Sequence, residues 1–309
     1  MIAALAGGVG AARFLRGLLD VVAPPEVSVI ANTGDDLVLH GLCICPDMDT
    51  LLYTLAGVAN PETGWGLRGE SFGVLEALER LGGESWFRLG DGDLATHLFR
   101  TQRLAQGSAL HQVAAELARA FGLEIRLLPM SDDPVRTRVR LAAGPEVAFQ
   151  EYFVRLRHDV AVSAVRFEGA ASAAPAPGVL DALAEAEIVV VCPSNPLVSI
   201  APIRAVPGIE AALVGRRDST VAVSPIVAGS ALRGPAARLL TELGHEPSVV
   251  GVARLYAPVA SALVIDPADV DLAPAVEAEG LRAVVVPSVM TSPQRAATLA
   301  RATLAAARR

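Results

Sequence analysis

The N-terminal stretch MIAALAGGVGAARF (residues 1–14) has the pattern of a buried strand, a glycine turn and the start of a helix. Residues 2–6 are apolar, Gly7, Gly8 and Gly10 form the turn, and residues 11–22 have helical apolar spacing. Such a turn lets backbone N–H groups meet an anion at the positive end of the helix. Arg13 stands where it would contact the same anion. The stretch therefore predicts either a phosphate-binding turn or a plain tight strand-to-helix connection.

The basic residues exclude one class of nucleotide site. All 26 of them are arginine, and a Walker-type phosphate loop needs a lysine on the phosphates. The net charge of −7 argues against a nucleic-acid partner, because such partners call for a basic face. A small anionic ligand remains compatible with this charge, since local arginines decide its binding.

Length and composition indicate a globular protein with a large core. The chain has 309 residues, of which 52% are hydrophobic and 19% charged. No apolar run reaches the eighteen or so residues that span a bilayer, and no leader peptide is visible at the N-terminus. The three cysteines form a sparse, odd set, typical of a reducing compartment. We therefore expect a cytoplasmic location and no membrane partner.

Strand and helix patterns alternate along most of the chain. Apolar, β-branched runs occur at residues 2–6, 27–31, 124–128, 188–192, 220–223, 261–265 and 282–286. Alternating units of this kind build a parallel sheet covered on both faces. The fold class is therefore predicted as α/β, with a Rossmann-like doubly wound, mainly parallel sheet formed by residues 1–128 and 166–309.

The segment 129–165 breaks this alternation. Residues 137–141 and 147–153 alternate in strand fashion on either side of a turn at residues 142–145, which predicts a hairpin. We expect residues 129–165 to form an inserted small α+β subdomain over the carboxyl edge of the sheet.

Acidic residues follow the second predicted strand. Asp35 and Asp36 end the polar stretch 32–36 that follows the strand, and Asp47 and Asp49 precede an apolar helix. Asp35, Asp36 and Asp49 are candidate ligands of Mg²⁺ in a site that also holds phosphate oxygens. A solvated turn at residues 32–36 and helix capping by Asp47 or Asp49 are the alternatives.

Two further groups of polar residues are candidates. Arg88, Asp91 and His97 lie in and after a Gly-Asp-Gly-Asp turn, where a simple Asx turn and a structural histidine are the alternatives. Polar loops also follow the strands at 188–192 and 220–223, and they predict a phosphate and base cradle unless they are generic turns. Their candidate residues are Ser194, Asn195, Pro196 and Ser224.

Seven motifs, in order along the chain, resemble the CofD/FbiA family. They are the glycine turn with Arg13 and Phe14, residues 32–36, 46–54, 128–134, 149–153 and 193–196, and Ser224-Pro225-Ile226. The resemblance implies transfer of a phosphoenolpyruvyl or phospholactyl group from a guanosine diphosphate adduct to the deazaflavin Fo. It implies that GMP is released, that magnesium takes part, that coenzyme F420 is the pathway product and that the protein is a homodimer.

The resemblance and the chemistry together predict roles for the candidate residues. The diphosphate is assigned to Gly7, Gly8, Gly10 and Arg13, and the guanosine side to Ser194, Asn195, Pro196 and Ser224. Magnesium is assigned to Asp35, Asp36 and Asp49, with binding and deprotonation of the Fo hydroxyl as the alternative role of Asp49. The Fo side is assigned to Asp49, Arg88, Asp91 and His97.

One residue departs from the family pattern, and several questions stay open. Family members usually carry arginine where this chain has Gly92, which removes a planar five-donor group. The identity of the three-carbon acid is open between enolpyruvate, lactate and glycerate, with enolpyruvate favoured in bacterial relatives. A transferase with another acceptor, and a nucleotide-binding sensor of the same fold without turnover, are the alternative functions.

Overall fold

A computed structural model describes residues 1–231 and 234–307. Its strands, in chain order, are β1 Ile2–Ala6, β2 Val27–Ala31, β3 Leu37–Leu39, β4 Leu42–Ile44, β5 Arg126–Pro129, β6 Arg136–Leu141, β7 Glu146–Ala148, β8 Val162–Glu168, β9 Ile188–Val191, β10 Thr220–Val223, β11 Ile226–Val227, β12 Ser230–Ala231, β13 Ala262–Ile265 and β14 Arg282–Val285. Its α-helices are α1 Gly8–Leu18, α2 Pro46–Leu55, α3 Gly73–Arg80, α4 Asp91–Ala105, α5 Leu110–Ala120, α6 Val179–Glu185, α7 Ala201–Ala205, α8 Ile209–Gly215, α9 Ala236–Glu242, α10 Val249–Tyr256, α11 Ala273–Ala278 and α12 Pro293–Ala307.

Seven strands form one parallel sheet in the order β14-β13-β10-β9-β1-β2-β5. Every residue of β1, β2 and β9 is buried, as expected for strands covered on both faces. One apolar core packs α1, α2, α5 and α12 on one face, and a second packs α6, α8 and α10 on the other. The predicted α/β, doubly wound class is confirmed.

The strand order reverses direction between β1 and β9. Successive strands run from β1 outward through β2 to β5 on one side, and from β9 outward to β14 on the other. In open α/β sheets, the crevice beyond the carboxyl ends of the strands at such a reversal is where ligands bind. The turn after β1 and the loops after β2, β9 and β10 all end at this crevice.

The helix after β1 begins earlier than the sequence pattern indicates. It spans Gly8–Leu18 instead of the predicted residues 11–22, so two of the three glycines belong to its first turn. A Cβ atom on Gly10 would lie well inside van der Waals contact of the Pro193 carbonyl oxygen. The absence of a side chain at Gly10 therefore lets α1 pack directly against the loop after β9.

Replacing Gly10 with alanine is expected to lower the free energy of unfolding by about 1–3 kcal/mol, the usual cost of overpacking a filled contact. Thermal unfolding of the purified variant measures this. Gly215→Ala is the matched control, because Gly215 also lies in a helix but has open space where a Cβ atom would be placed. The control should be unchanged or slightly stabilised, and equal loss in both variants would contradict the packing argument.

The inserted segment forms a separate antiparallel sheet in the order β7-β6-β8. The predicted strand at 147–153 is wrong: β7 ends at Ala148, and Glu151–Arg155 form a π-helical turn. Here Phe149 stacks on Phe153 with ring centroids 5.6 Å apart, and Gln150 donates to Asp35 in the loop after β2. Strand β8 continues to Glu168, and the limits 129–165 for a subdomain stay a prediction.

Within residues 1–231 and 234–307, no single helix is long and apolar enough to cross a membrane. The bent pair Pro196–Ala205 and Ile209–Gly215, which meets at 97°, passes that length and composition test only when both parts are combined.

Candidate functional site

A cavity of about 880 Å³ lies beyond the carboxyl ends of β1, β2, β9 and β10. It collects most of the candidate residues that the sequence predicted. Those in its wall are Gly7, Gly8, Gly10, Arg13, Asp35, Asp49, Arg88, His97, Ser194, Asn195 and Ser224. Three other candidates, Asp36, Asp91 and Pro196, are not among the described residues that line it.

The glycine turn forms one wall of this cavity and is already hydrogen bonded within the protein. The backbone N–H of Gly7 donates to Ser194 Oγ at 3.2 Å, which ties the turn to the loop after β9. The backbone N–H of Gly8 donates to the Asp47 carboxylate, so this carboxylate lies at the N-terminus of α1. A negative side chain is favourable at that end of a helix. The sequence pattern indicated Asp47 only as a cap of α2 and gave no sign of this contact.

Asp35 and Asp47 are buried carboxylates joined by one amide. Asn32 Nδ2 donates to Asp47 Oδ2 at 2.9 Å and lies 3.5 Å from Asp35 Oδ1, and Gln150 Nε2 donates to Asp35 Oδ2 at 2.8 Å. Burial raises the pKa of Asp47 to about 6. Burial, and then the charges of Asp47 and Asp36, hold the pKa of Asp35 well above its usual range. The pair therefore favours a proton or a bound cation.

Asp36 contacts a buried thiol and is not among the described residues of the cavity wall. Its Oδ2 accepts a hydrogen bond from Cys45 Sγ at 3.1 Å, and 5% of the residue is exposed. Burial, and then the nearby Cys43, raise the pKa of this carboxyl well above its usual range. The structure thus separates Asp36 from Asp35 and Asp49, with which the sequence grouped it as a metal ligand.

Asp49 forms an ion pair with a fully buried arginine. Both terminal nitrogens of Arg100 donate to the two Asp49 carboxylate oxygens, and Nη1 also donates to the Cys43 carbonyl oxygen at 3.2 Å. Only 1% of Arg100 is exposed. Sequence reasoning missed this residue, because an arginine three residues after His97 on α4 gives no signal of burial.

His97 lies between two carboxylates. Its Nδ1 is 3.6 Å from Asp49 Oδ2, and its Nε2 is 3.3 Å from Asp93 Oδ1. Arg100 Nη1 lies 3.3 Å from Nδ1. Because a guanidinium group only donates, this contact favours Nδ1 as the acceptor and places the proton of a neutral ring on Nε2.

Asp93 completes the same group. Tyr53 donates its hydroxyl hydrogen to Asp93 Oδ1 at 2.6 Å, and burial, followed by the charges of Asp49 and Asp93, raises the pKa of this phenol. One ligand atom each of Asp49, Asp93 and His97 fall within 4.8 Å of one another. That spacing would suit a metal ion, but Arg100 already balances the Asp49 charge.

Aromatic residues that precede α4 line the cavity near this group. Trp86 and Phe87 come a few residues before α4 and contribute to the wall, as do Trp65, Phe149 and Phe153. Phe153 lies elsewhere in the wall, with its Cε2 atom 4.0 Å from where a Cβ atom on Gly234 would be placed. The Arg88 guanidinium lies 4.3 Å from the centroid of the Phe72 ring, which is a cation–π contact. The flat side chains before α4, with one cation, make this end suited to a planar, electron-rich ring system.

Asp91 and Gly92 lie at the start of α4, outside the described cavity wall. The Asp91 carboxylate accepts hydrogen bonds from Ser71 Oγ and from the backbone N–H groups of Gly73 and Val74. These donors lower the pKa of Asp91, and they make it a cap for α3. Gly92 is exposed, and its N–H donates to Glu70 Oε1 at 2.6 Å. The departure from the family pattern at position 92 therefore lies beside Glu70 and not in the cavity.

The opposite end of the cavity is formed by loops after β9, β10 and β14. Asn195 Oδ1 accepts from the Leu197 N–H at 3.0 Å, and Ser224 Oγ donates to the Ile226 carbonyl oxygen at 3.0 Å. Both side chains thus shape their own loops while lining the cavity. Residues 289–291, after the last strand, also line this end, and sequence reasoning did not include them.

Comparison with known proteins agrees with the resemblance described above. The model of the family described as 2-phospho-L-lactate transferase CofD matches residues 2–295. A phosphoenolpyruvate transferase of Kitasatospora aureofaciens is 46% identical, over 99% of this chain and 97% of its own. One of Streptomyces coelicolor is 44% identical, over 98% and 97%.

A solved structure shares the fold at much lower identity. A member of the UPF0052 family from Bacillus halodurans superposes with a TM-score of 0.62 at 15% identity, over 98% of both chains. This likeness concerns the fold alone, whereas the sequence matches extend over nearly the whole chain. The chain therefore belongs to the 2-phospho-L-lactate transferase CofD family, and it is a transferase.

Proposed function

We propose that this transferase acts in coenzyme F420 biosynthesis. It moves a phosphoenolpyruvyl group from a guanosine diphosphate adduct to the deazaflavin Fo and releases GMP in the presence of magnesium. The observation that carries the proposal is the cavity itself, which joins a glycine turn, buried carboxylates and an aromatic end in one space. The relatives named phosphoenolpyruvate transferase favour enolpyruvate over lactate. Cytoplasmic location and a homodimer remain predictions.

The donor diphosphate is assigned to the glycine turn and Arg13. The turn lies at the N-terminus of α1, where backbone N–H groups and the helix dipole favour anions. The guanosine is assigned to the end formed by Ser194, Asn195, Ser224 and residues 289–291. Attack on a diphosphate phosphorus depends mainly on positioning and on neutralising charge, and these residues supply the positioning.

The residues present fit a divalent cation at Asp35 and Asp47. Both are oxygen donors, which Mg²⁺ prefers, and burial and mutual repulsion oppose ionisation of both in its absence. Magnesium would neutralise charge on the diphosphate and on the leaving GMP. Asp47 would otherwise place a negative charge against an incoming phosphate, because it already lies on the Gly8 N–H.

The Fo hydroxyl is assigned to the neighbourhood of Asp49. Arg100 donates to both oxygens of Asp49 and fixes its carboxylate, so one of these oxygens would accept the hydrogen bond of the attacking hydroxyl. His97 Nδ1 accepts from Arg100 Nη1 at 3.3 Å, so His97 helps to position the arginine that holds the same carboxylate. The aromatic end of the cavity would hold the deazaflavin ring, with Arg88 at its rim.

GMP release by the purified chain with Fo, magnesium and the enolpyruvyl donor tests this proposal, with the lactyl donor in parallel. Asp49→Asn is the matched variant, because alanine would also leave Arg100 buried without its partner. GMP release that requires Fo and that the Asp49→Asn variant does not show would support the proposal. GDP binding without GMP release from any donor would instead support the sensor alternative.

Magnesium is expected to raise the melting temperature more at about pH 8 than at about pH 5. The pKa values of Asp35 and Asp47 are raised in the folded protein, so ionising them opposes folding. The metal-free protein should therefore lose stability as pH rises from about 4, near the pKa of an unfolded aspartate, through about 6. A cation bound to the ionised pair offsets that loss.

Calorimetry with and without magnesium at both pH values measures this effect. Asp47→Asn is the control. The rise in its melting temperature on adding magnesium should differ less between the two pH values. An increment that is the same at both pH values would contradict the assignment of the cation to this pair.

A further inference from the structure

Two aspartates outside the cavity hold the two loops that form its guanosine end. Asp266 directly follows β13, and Asp269 lies in the 3-10 segment Pro267–Leu272 that comes next. Neither residue is among the described residues of the cavity wall. Both carboxylates accept hydrogen bonds from backbone N–H groups of other loops. Each therefore holds a loop in position and does not itself contact a ligand in the cavity.

Asp266 holds the loop after β14. Its Oδ2 accepts from the backbone N–H of Ser288 at 2.8 Å and from Ser288 Oγ at 3.2 Å, and the Val289 N–H also donates to it. Burial opposes the charged form of Asp266, but these donors outweigh it and lower its pKa. Residues 289–291, which begin at this contact, line the cavity.

Asp269 holds the turn between β11 and β12, a hairpin that follows β10 after Ser224 and Pro225. It is 4% exposed, and its Oδ1 and Oδ2 lie 3.1 and 3.0 Å from the backbone nitrogen of Ala228, whose N–H they accept. Ala228 has a φ of +50°, a left-handed conformation that is unfavourable for a residue with a Cβ atom. Ala228 and Gly229, whose φ is +72°, are the central residues of the β11–β12 hairpin, where a two-residue turn uses positive φ at both positions. The Asp269 contacts hold this turn in place.

The two held segments follow strands that flank β13, because the sheet order is β14-β13-β10. Ser224 and Pro225, between β10 and β11, line the cavity, and so do residues 289–291 after β14. Both carboxylates belong to one short stretch of chain, residues 266–269, so they set the distance between the loops. The wall so formed adjoins the glycine turn, which is where the diphosphate is assigned.

We propose that Asp266 and Asp269 are positioning residues that set the width of the donor-nucleotide end of the cavity for a purine nucleoside diphosphate. This inference rests on the proposed function, because it assigns that end to guanosine. Neither residue touches the ligand. They act through the N–H groups of Ala228, Ser288 and Val289, and the acceptor end of the cavity does not depend on them.

GDP binding to the full chain with magnesium, measured by titration calorimetry, tests the inference. Asp269→Ala is expected to weaken GDP binding roughly tenfold, because a charge-assisted contact that orders a loop is lost. The KM for the donor should rise likewise, while kcat and the KM for Fo stay within about twofold. Asp269→Asn keeps one acceptor oxygen for Ala228 and should recover most of the affinity.

Asp271→Ala is the matched control, because Asp271 is an exposed aspartate on the same segment. Asp266→Asn tests the other loop independently and covers the case in which Asp269→Ala does not fold. Unchanged GDP affinity in folded Asp269→Ala, or an equal rise in the KM for Fo, would overturn the inference alone. Failure of the wild-type chain to bind GDP would overturn the proposed function along with it.

Discussion

Replacing Arg100 with leucine is expected to lower the free energy of unfolding by about 3–5 kcal/mol, because it leaves the Asp49 carboxylate buried without its partner. Arg100 is 1% exposed and donates to both oxygens of Asp49. For a chain of this length the loss corresponds to a fall in melting temperature on the order of 10 °C. Turnover should be lost as well, since Asp49 would lose the contacts that hold its carboxylate in place.

Arg103→Leu is the control for the Arg100 variant. Arg103 lies on the same helix and pairs with Glu116, but this pair is partly exposed, so its loss should cost less than about 1 kcal/mol. The double variant Arg100→Leu with Asp49→Asn should regain part of the stability, because no buried charge then lacks a partner. If Arg100→Leu and Arg103→Leu lowered the melting temperature by the same amount, the argument from burial would be wrong.

Asp35→Asn is expected to reduce kcat about a hundredfold or more, which equals about 2.7 kcal/mol of transition-state stabilisation. The proposed cation would lose one of its charged ligands. Asparagine keeps the shape of the side chain and an oxygen for Gln150, and it removes a charge whose burial opposes folding. The melting temperature should therefore stay the same or rise while activity falls. Steady-state kinetics across a magnesium titration would separate weakened metal binding from a slower chemical step.

The neighbouring substitution Asp36→Asn provides the matched control. Asp36 is equally buried, but it contacts Cys45 and is outside the described cavity wall. We expect its kcat to stay within about threefold of the wild type. A loss as large as that of Asp35→Asn would instead favour the metal set Asp35, Asp36 and Asp49 inferred from the sequence.

The sheet could be predicted from the sequence because its strands are short, apolar and rich in β-branched residues. Runs such as Ile188–Val191 are buried on both faces, and this requirement is visible residue by residue. The segment 147–153 could not be predicted, for the opposite reason. Val147 and Phe149 alternate with Ala148 and Gln150 as in a strand. A π-helical turn nevertheless follows, with Phe149 and Phe153 in the cavity wall, and tertiary contacts decide that choice.

The sequence located the site but not its contacts. Asp35 and Asp36 are adjacent and chemically identical, and only the folded turn sends one to the cavity and the other to Cys45. The roles of Asp47 and Arg100 depend on partners far away in the chain: the Gly8 N–H for Asp47 and the Asp49 carboxylate for Arg100. Pairings across such separations leave no local pattern, since surface arginines and capping aspartates have the same spacing.

The central position of β1 governs when this site can form during synthesis. β1 pairs with β2 on one side and β9 on the other, so its second partner leaves the ribosome only after residue 191. Residues 289–291, which also line the cavity, are made later, and so is α12, which packs against α1. The glycine turn is therefore made long before the segments that complete the cavity around it. Until β9 has been made, a growing chain exposes one edge of the apolar β1, and chaperone binding would matter most in that interval.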